Sequence, residues 1–302
     1  MNISITGSTG FVGQNLQKYL TVSKFIVKPI LRNELANISV NDVKIADAII
    51  HLAGKAHDLK NVSQPEEYYQ INYELTKKLY DVFLNSEAKK FIIISTVKAV
   101  ADNINEALRE DHKPDPHTHY GKSKRMAEEY ILNQRLPEGK SFYILRPCII
   151  HGPGNKGNLN LLYKFVSKGL PWPLGAFENQ RSFCSIENLC FIIKELIEVK
   201  SIPSGVYNVA DDEVLSTKEI IKLISNLKNK RPRIWNIPLI YIKLFTKLGY
   251  ILHLPINSDR LQKLTENYMV SNVKIKQVIG KELPVSAREG LLKTFKSFSN
   301  RD

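Results

Sequence analysis

The most constraining feature lies at the start of the chain. Ile3-Ser4-Ile5-Thr6 reads as a short apolar strand. It runs into Gly7-Ser8-Thr9-Gly10-Phe11-Val12-Gly13, and Val12, Leu16 and Leu20 then recur at helical spacing. Glycines at 7, 10 and 13 between a strand and a helix meet three demands at once. They allow a tight turn, close backbone approach to a pyrophosphate, and tight packing of helix on strand, with the first helical amides left facing the phosphates. The next strand, Phe25 to Leu31, ends at Arg32-Asn33, where an NAD site usually offers a carboxylate to the ribose 2′-hydroxyl. A guanidinium there suits a 2′-phosphate, so the cofactor choice between NAD and NADP stays open, with Arg32 leaning toward NADP.

Little chain separates Arg32 from the strand Ala48 to Ala53, too little for a full crossover helix, so this part of the sheet is expected to be abbreviated. Helical periodicity over 67–84, a continuous apolar strand Lys90 to Ser95, a charged helix over 122–135 and a strand Phe142 to Arg146 continue the alternation. The expectation is an α/β fold, a doubly wound parallel sheet. Tyr120 and Lys124 fall four apart, on one face of the helix that follows. An ammonium beside a phenol favours the phenolate, so such a tyrosine is expected to exchange protons with a sugar hydroxyl or a ketone. Ser95 and Thr96 end the buried strand, where open α/β sheets place their ligands.

These pieces together resemble the extended short-chain dehydrogenase/reductase family of nucleotide-sugar epimerases, dehydratases and reductases. The resemblance rests on Thr6 to Gly13, His51-Leu52-Ala53-Gly54, Ile71-Asn72, Ser95-Thr96-Val97-Lys98, Tyr120-Gly121-Lys122-Ser123-Lys124, and Leu145-Arg146-Pro147 with His151-Gly152-Pro153-Gly154. It implies a Rossmann-like domain over 1–150, to which later segments contribute, and a mainly sugar-nucleotide-binding lobe over 151–302. It also implies Tyr120 as general acid/base, Lys124 as its partner on the nicotinamide ribose, and Thr96 as the hydroxyl partner. Gly7, Thr9, Gly10, Phe11, Val12, Gly13, Arg32, Leu52, Ala53, Gly54, Asn72 and Pro147 would hold the cofactor. Gly54 stands where the family commonly has alanine and His151 where it often has tyrosine, and neither change removes a reacting group.

Dehydratases of the family look like Thr-Asp-Glu at the position of Thr96-Val97-Lys98, so the elimination pair is missing here and an epimerase or reductase remains. The stretches 157–162 and 176–183 resemble the nucleotide-sugar region of UDP-hexose enzymes. The subgroup most similar acts at carbon 4 of UDP-N-acetylhexosamines, or reduces their 4-keto-6-deoxy forms, in surface polysaccharide assembly. On that resemblance Lys98, Asn158, Arg181 and Arg260 face the UDP-sugar, with Arg181 gripping the diphosphate. Family members often pair through helices like 67–84 and 122–135, which implies a homodimer. A non-catalytic nucleotide-binding or RNA-associated member is the rival reading, and the intact Thr96, Tyr120 and Lys124 set weighs against it.

Composition narrows the setting. There are 43 Lys and Arg against 30 Asp and Glu, a net +13, but single lysines spread over helix faces describe a solvated surface rather than a nucleic-acid site. The three cysteines, Cys148, Cys184 and Cys190, have no metal-ligand spacing, so no metal is expected and a reduced, cytoplasmic compartment is the natural reading. No apolar run is long enough to span a bilayer and no signal peptide is recognisable at the N-terminus. The apolar stretch Ile237 to Leu254 carries two lysines. A packed helix or subunit contact is the plain expectation for it, and a patch lying on the inner membrane surface is the sharper one.

Overall fold

A computed structural model describes residues 1–55, 64–104, 106–155, 157–238 and 265–299. Six parallel strands form the main sheet: β1 (Asn2–Thr6), β2 (Ile26–Ile30), β3 (Ala48–His51), β4 (Lys90–Ile94), β5 (Ser141–Pro147) and β8 (Gly205–Val209). Their order is β2-β1-β3-β4-β5-β8, so β1 sits where the winding reverses and the C-terminal ends of β1 and β3 open a crevice between them. The fold is Rossmann-like, as the alternating pattern implies. Pro29 is tolerated because β2 is the edge strand. The short link from β2 to β3 holds only helix α2 (Arg32–Ala36) and one 3-10 turn, the expected abbreviation.

Both faces of the sheet are covered, which explains its unbroken apolar strands. Ile3, Ile5, Ile50, Ile92 and Leu145 pack under helices α1 (Phe11–Val22), α7 (Ile186–Glu198) and α9 (Val273–Ile279). Ile49, Phe91, Ile93 and Ile144 pack on the other face, against helices α4 (Leu75–Leu84) and α5 (His119–Asn133). Lys90 is buried at the start of β4 because its Nζ donates to the carbonyls of Leu196, Ile197 and Val199 at 2.7–2.9 Å, closing the C-terminus of α7. A second sheet joins β6 (Ile149–His151) to β7 (Arg181–Ser185) in parallel, and β7 to β9 (Val214–Leu215) antiparallel. Helices α6 (Asn158–Ser167), α8 (Thr217–Leu227) and α10 (Ala287–Ser299) enclose the apolar centre of this lobe around Tyr163, Phe183, Leu291 and Phe295.

Two helices differ from the sequence reading. The segment expected as one helix over 67–84 is α3 (Pro65–Tyr69), a π turn (Gln70–Glu74) and then α4. The wide turn delivers the fully buried Asn72 inward, a common use of π turns at functional sites. The helix expected from residue 122 begins at His119, because the Thr118 hydroxyl accepts from Gly121 N at 3.1 Å and caps it.

One buried ion pair fixes α5 to the sheet. The Glu128 carboxylate accepts from Arg146 Nε at 2.9 Å and Nη2 at 2.6 Å, and from Ser95 Oγ at 2.5 Å, with both charged groups all but inaccessible. Replacing Glu128 by alanine strands a guanidinium in the core. That change is expected to cost about 3–5 kcal/mol in urea unfolding, and a loss below about 1 kcal/mol would contradict the role given to this pair.

Candidate active site

The glycine turn is built by contact. Gly7 has φ +69°, and a Cβ there would sit 2.5 Å from Ala53 N; one on Gly13 would sit 2.3 Å from the Gly7 carbonyl. Only glycine allows β1, α1 and the 52–54 segment to meet this closely. Helix α1 starts after Gly10 with no side-chain cap and no acid in its first turn, so its leading amides face the crevice. The cleft here has a volume of about 730 Å³. Gly7, Thr9, Gly10, Arg32, Leu52, Ala53 and Gly54 all line it, while Phe11 and Val12 lie half-buried behind it at the head of α1. Glu34, the one carboxylate at the end of β2, is turned back to accept from Leu31 N at 2.6 Å and leaves Arg32 on the cleft wall. A cradle of backbone amides that no side chain may enter fits a dinucleotide, and these are the residues that would hold it.

Behind the cleft runs a fully buried polar chain. Thr6 Oγ1 meets His51 Nδ1 at 2.7 Å, and His51 Nε2 meets Thr76 Oγ1 at 2.9 Å. Burial first, and the Lys124 ammonium second, hold His51 down to about 3, so it is neutral near pH 7. Asn72 Nδ2 donates to the Lys55 carbonyl at 3.1 Å and to Ser123 Oγ at 3.0 Å, while its Oδ1 accepts from Lys55 N at 2.8 Å. The side chain thus joins the cleft floor to α5. Lys124 Nζ donates to the Ile94 carbonyl at 2.9 Å and reaches Gly54, where an added Cβ would stand 3.1 Å from it and from Asn72 Oδ1. An alanine methyl there would meet both groups at closer than ordinary contact distance.

One turn nearer the start of α5 the Thr96 hydroxyl hydrogen-bonds the half-buried Tyr120 phenol. Ser95, its neighbour, is turned to Glu128, so of the two hydroxyls that end β4 Thr96 is the one on the site. Gly121 lets this happen: a Cβ would lie 2.4 Å from the Lys98 carbonyl, so any larger residue would lift the start of α5, and Tyr120 with it, off the 96–98 turn. Asp102 adds a tie by accepting from His117 N at 2.8 Å and Thr118 N at 3.3 Å. A smaller cavity of about 160 Å³ opens beside Thr96, walled by Lys98, Cys148, Arg181, Ser182 and Tyr268, with no carboxylate among the described residues that line it. Lys98 Nζ lies 4.2 Å over the Tyr268 ring, and Arg181 leans on Glu266 at 3.9 Å.

Sequence reasoning did not find Tyr268, Cys148 or Ser182. Tyr268 has no motif around it and lies 171 and 167 residues beyond Val97 and Ala101, whose carbonyls its hydroxyl donates to. Of the other expected residues, Pro147 is buried at the end of β5 and lines neither cavity. Asn158 is exposed at the first position of α6, outside the wall of the small cavity, and Arg260 lies outside the described residues. His151 is buried away from both cavities, 3.0 Å from Thr294 Oγ1 and 3.4 Å from Asp211 Oδ2, a link that secures α10.

The expected acidified phenol is not what this structure contains. Burial pushes Tyr120 up, the Thr96 hydrogen bond pulls it partly back, and the ammonium of Lys124 does not figure among the causes. Burial also brings Lys124 down to about 8, opposed by Glu128. An unfolded lysine titrates near 10.5, so the cost of the buried ammonium is complete below pH 8 and fades as pH rises to 10.5. The cofactor-free Lys124→Met chain is therefore expected to be more stable than the parent at pH 7, by up to about 3 kcal/mol. The difference should shrink by pH 10; urea unfolding at both values that finds the methionine chain less stable would contradict it.

Comparison with known proteins agrees with this geometry. The model of the NAD dependent epimerase/dehydratase family matches residues 3–210. A UDP-glucose 4-epimerase of Vibrio cholerae is 30% identical, over 98% of this chain and 95% of its own length. An N-acetyl-alpha-D-glucosaminyl-diphospho-ditrans,octacis-undecaprenol 4-epimerase of Escherichia coli O157:H7 is 28% identical, over 91% and 85%. Among solved structures, MoeE5 in complex with UDP-glucose and NAD shares the fold at a TM-score of 0.77 and 20% identity, covering 100% of this chain and 99% of that one. A glycine-lined dinucleotide cradle, a tyrosine and lysine on one helix face and a match over two thirds of the sequence lead to one conclusion: the chain belongs to the NAD dependent epimerase/dehydratase family, whose enzymes work with a nicotinamide cofactor.

Proposed function

We propose that this chain is a 4-epimerase of a UDP-linked N-acetylhexosamine, working in surface polysaccharide synthesis at the cytoplasmic edge of a membrane. The observation that carries the reading is the position of α5. Lys124 reaches the floor of the large cleft at Gly54, and Tyr120 meets Thr96 on the wall of the small one. A bound nicotinamide would supply reversible hydride exchange at a carbon held between the two cavities. Ionised to the phenolate in the loaded site, Tyr120 would take the proton of the sugar 4-hydroxyl as that carbon becomes a ketone, and would give it back when the ketone is reduced on its other face. Thr96 accepts from Lys98 N at 3.2 Å, which leaves its own proton to donate to the phenol oxygen or the sugar oxygen beside it. Lys98 and Arg181 supply the positive charge that a sugar diphosphate needs, and Arg181 can do so as a fork.

No carboxylate stands at Val97 or Lys98, or among the described residues of the small cavity's wall, which argues against elimination of water. Two relatives named as 4-epimerases, one of a sugar nucleotide and one of a lipid-linked N-acetylglucosaminyl diphosphate, support carbon 4 as the reacting centre. One observation favours a second reading, reduction of a UDP-4-keto-6-deoxy-N-acetylhexosamine. Arg32 rather than a carboxylate faces the cleft where the adenosine ribose would lie, which suits NADPH entering and leaving with each turnover.

Incubation with UDP-N-acetylglucosamine separates the two. Formation of UDP-N-acetylgalactosamine without added cofactor is the expected result. Consumption of one NADPH per keto sugar, with no interconversion, would replace the epimerase by the reductase.

A further inference from the structure

Residues 220–257 contain seven lysines and arginines and no aspartate or glutamate, so this short stretch carries more than half of the chain's net charge of +13. Its described part forms a defined surface on the second lobe. The chain runs extended past Trp172, with Trp172 N donating to the Arg233 carbonyl at 2.8 Å and Trp235 N to the Trp172 carbonyl at 2.8 Å. Side chains of an extended segment alternate. Ile234 turns in against the lobe's apolar centre, while Arg233 and Trp235 turn out, Trp235 with 56% of its surface exposed.

Four cations wall a hollow of about 370 Å³ there: Lys168, Lys230, Arg231 and Arg233, with no carboxylate among the described residues that line it. Lys230 Nζ donates to the Ser167 carbonyl at 2.8 Å and Arg233 Nη1 to the Gly169 carbonyl at 3.3 Å, which holds both charges at the rim. The C-terminal ends of α6 and α8 lie at the same place, and each offers about half a negative charge. About one unit of negative charge against four cations leaves a strongly positive hollow. Leu170, 46% exposed, also lines it. The sequence that follows, Ile237 to Leu254, is apolar with Lys243 and Lys247 as its only full charges. Lys168, Leu170, Lys230, Arg231, Arg233 and Trp235 line neither cavity of the candidate active site, and residues 239–254 lie outside the described part.

The geometry points to a docking surface for an anionic phospholipid bilayer, made by Lys168, Lys230, Arg231 and Arg233 with Leu170 and Trp235 beside them. Clustered cations meet anionic headgroups, and an exposed tryptophan sits at the level where headgroup gives way to acyl chain. A nucleic acid would also answer the charge, but single-strand recognition stacks successive bases on several aromatic faces. One tryptophan beside a leucine and an apolar continuation fits a bilayer better. The inference deepens the membrane-edge reading above and rests on it for its biological sense.

The test is flotation of the full chain with vesicles of phosphatidylglycerol and phosphatidylcholine, or of phosphatidylcholine alone. Binding is expected on the anionic vesicles only, and it should fall as salt rises. The double change Arg231→Gln with Arg233→Gln should weaken it about 25-fold, at about five-fold per cation near an anionic surface, and Trp235→Ala should weaken it further. Turnover of soluble UDP-sugars should be unchanged in both variants, which also shows that they fold. No flotation with anionic vesicles, equal flotation with neutral ones, or indifference to the arginine pair would overturn the proposal. So would tighter binding of a single-stranded oligonucleotide through the same two arginines. A chain that floats but converts no sugar nucleotide would refute the epimerase reading and leave the docking surface standing.

Discussion

The carboxylate of Glu128 is the point on which the site turns. It sits two helical turns beyond Tyr120 and one beyond Lys124, and it binds Arg146 of β5 and Ser95 at the end of β4 together. A buried charge of this kind does little for stability compared with an apolar replacement of the same shape, but it permits one register of the helix against the strands. That register sets Lys124 against the Ile94 carbonyl and Tyr120 against Thr96. Without it α5 would lose its buried ion pair to the sheet and keep only single hydrogen bonds and apolar contacts, which tolerate small slides that a proton-transfer geometry does not.

The two halves of the candidate site were legible to different degrees. The glycine turn could be read directly, because its demands are local: a positive φ at Gly7 and backbone contacts inside 3 Å leave one residue type. The tyrosine–lysine spacing could be read because a helix fixes what lies four residues apart. Residues that depend on tertiary packing could not. Tyr268 closes the small cavity from a part of the sequence with no pattern of its own, and the π turn that delivers Asn72 follows from that side chain's three partners, not from any propensity in Gln70–Glu74. Asn158, expected near the sugar from a similar local stretch, stands exposed at the start of α6.

The electrostatics also depart from the simple sequence picture. A tyrosine and lysine on one face suggest an acidified phenol, yet burial acts on both in opposite senses, raising the phenol and depressing the ammonium. The cofactor-free site therefore holds a buried ammonium against the Ile94 carbonyl and a phenol against the Thr96 hydroxyl. Sites that keep such unfavourable charges commonly do so for function.

The most direct measurement compares kcat for Tyr120→Phe and the parent chain at saturating UDP-N-acetylhexosamine, with cofactor and sugar-nucleotide binding measured alongside. Loss of kcat by about 10²–10⁴-fold, with both affinities within a few-fold of the parent, is the result this account predicts. A phenylalanine variant that keeps kcat within ten-fold of the parent would contradict it.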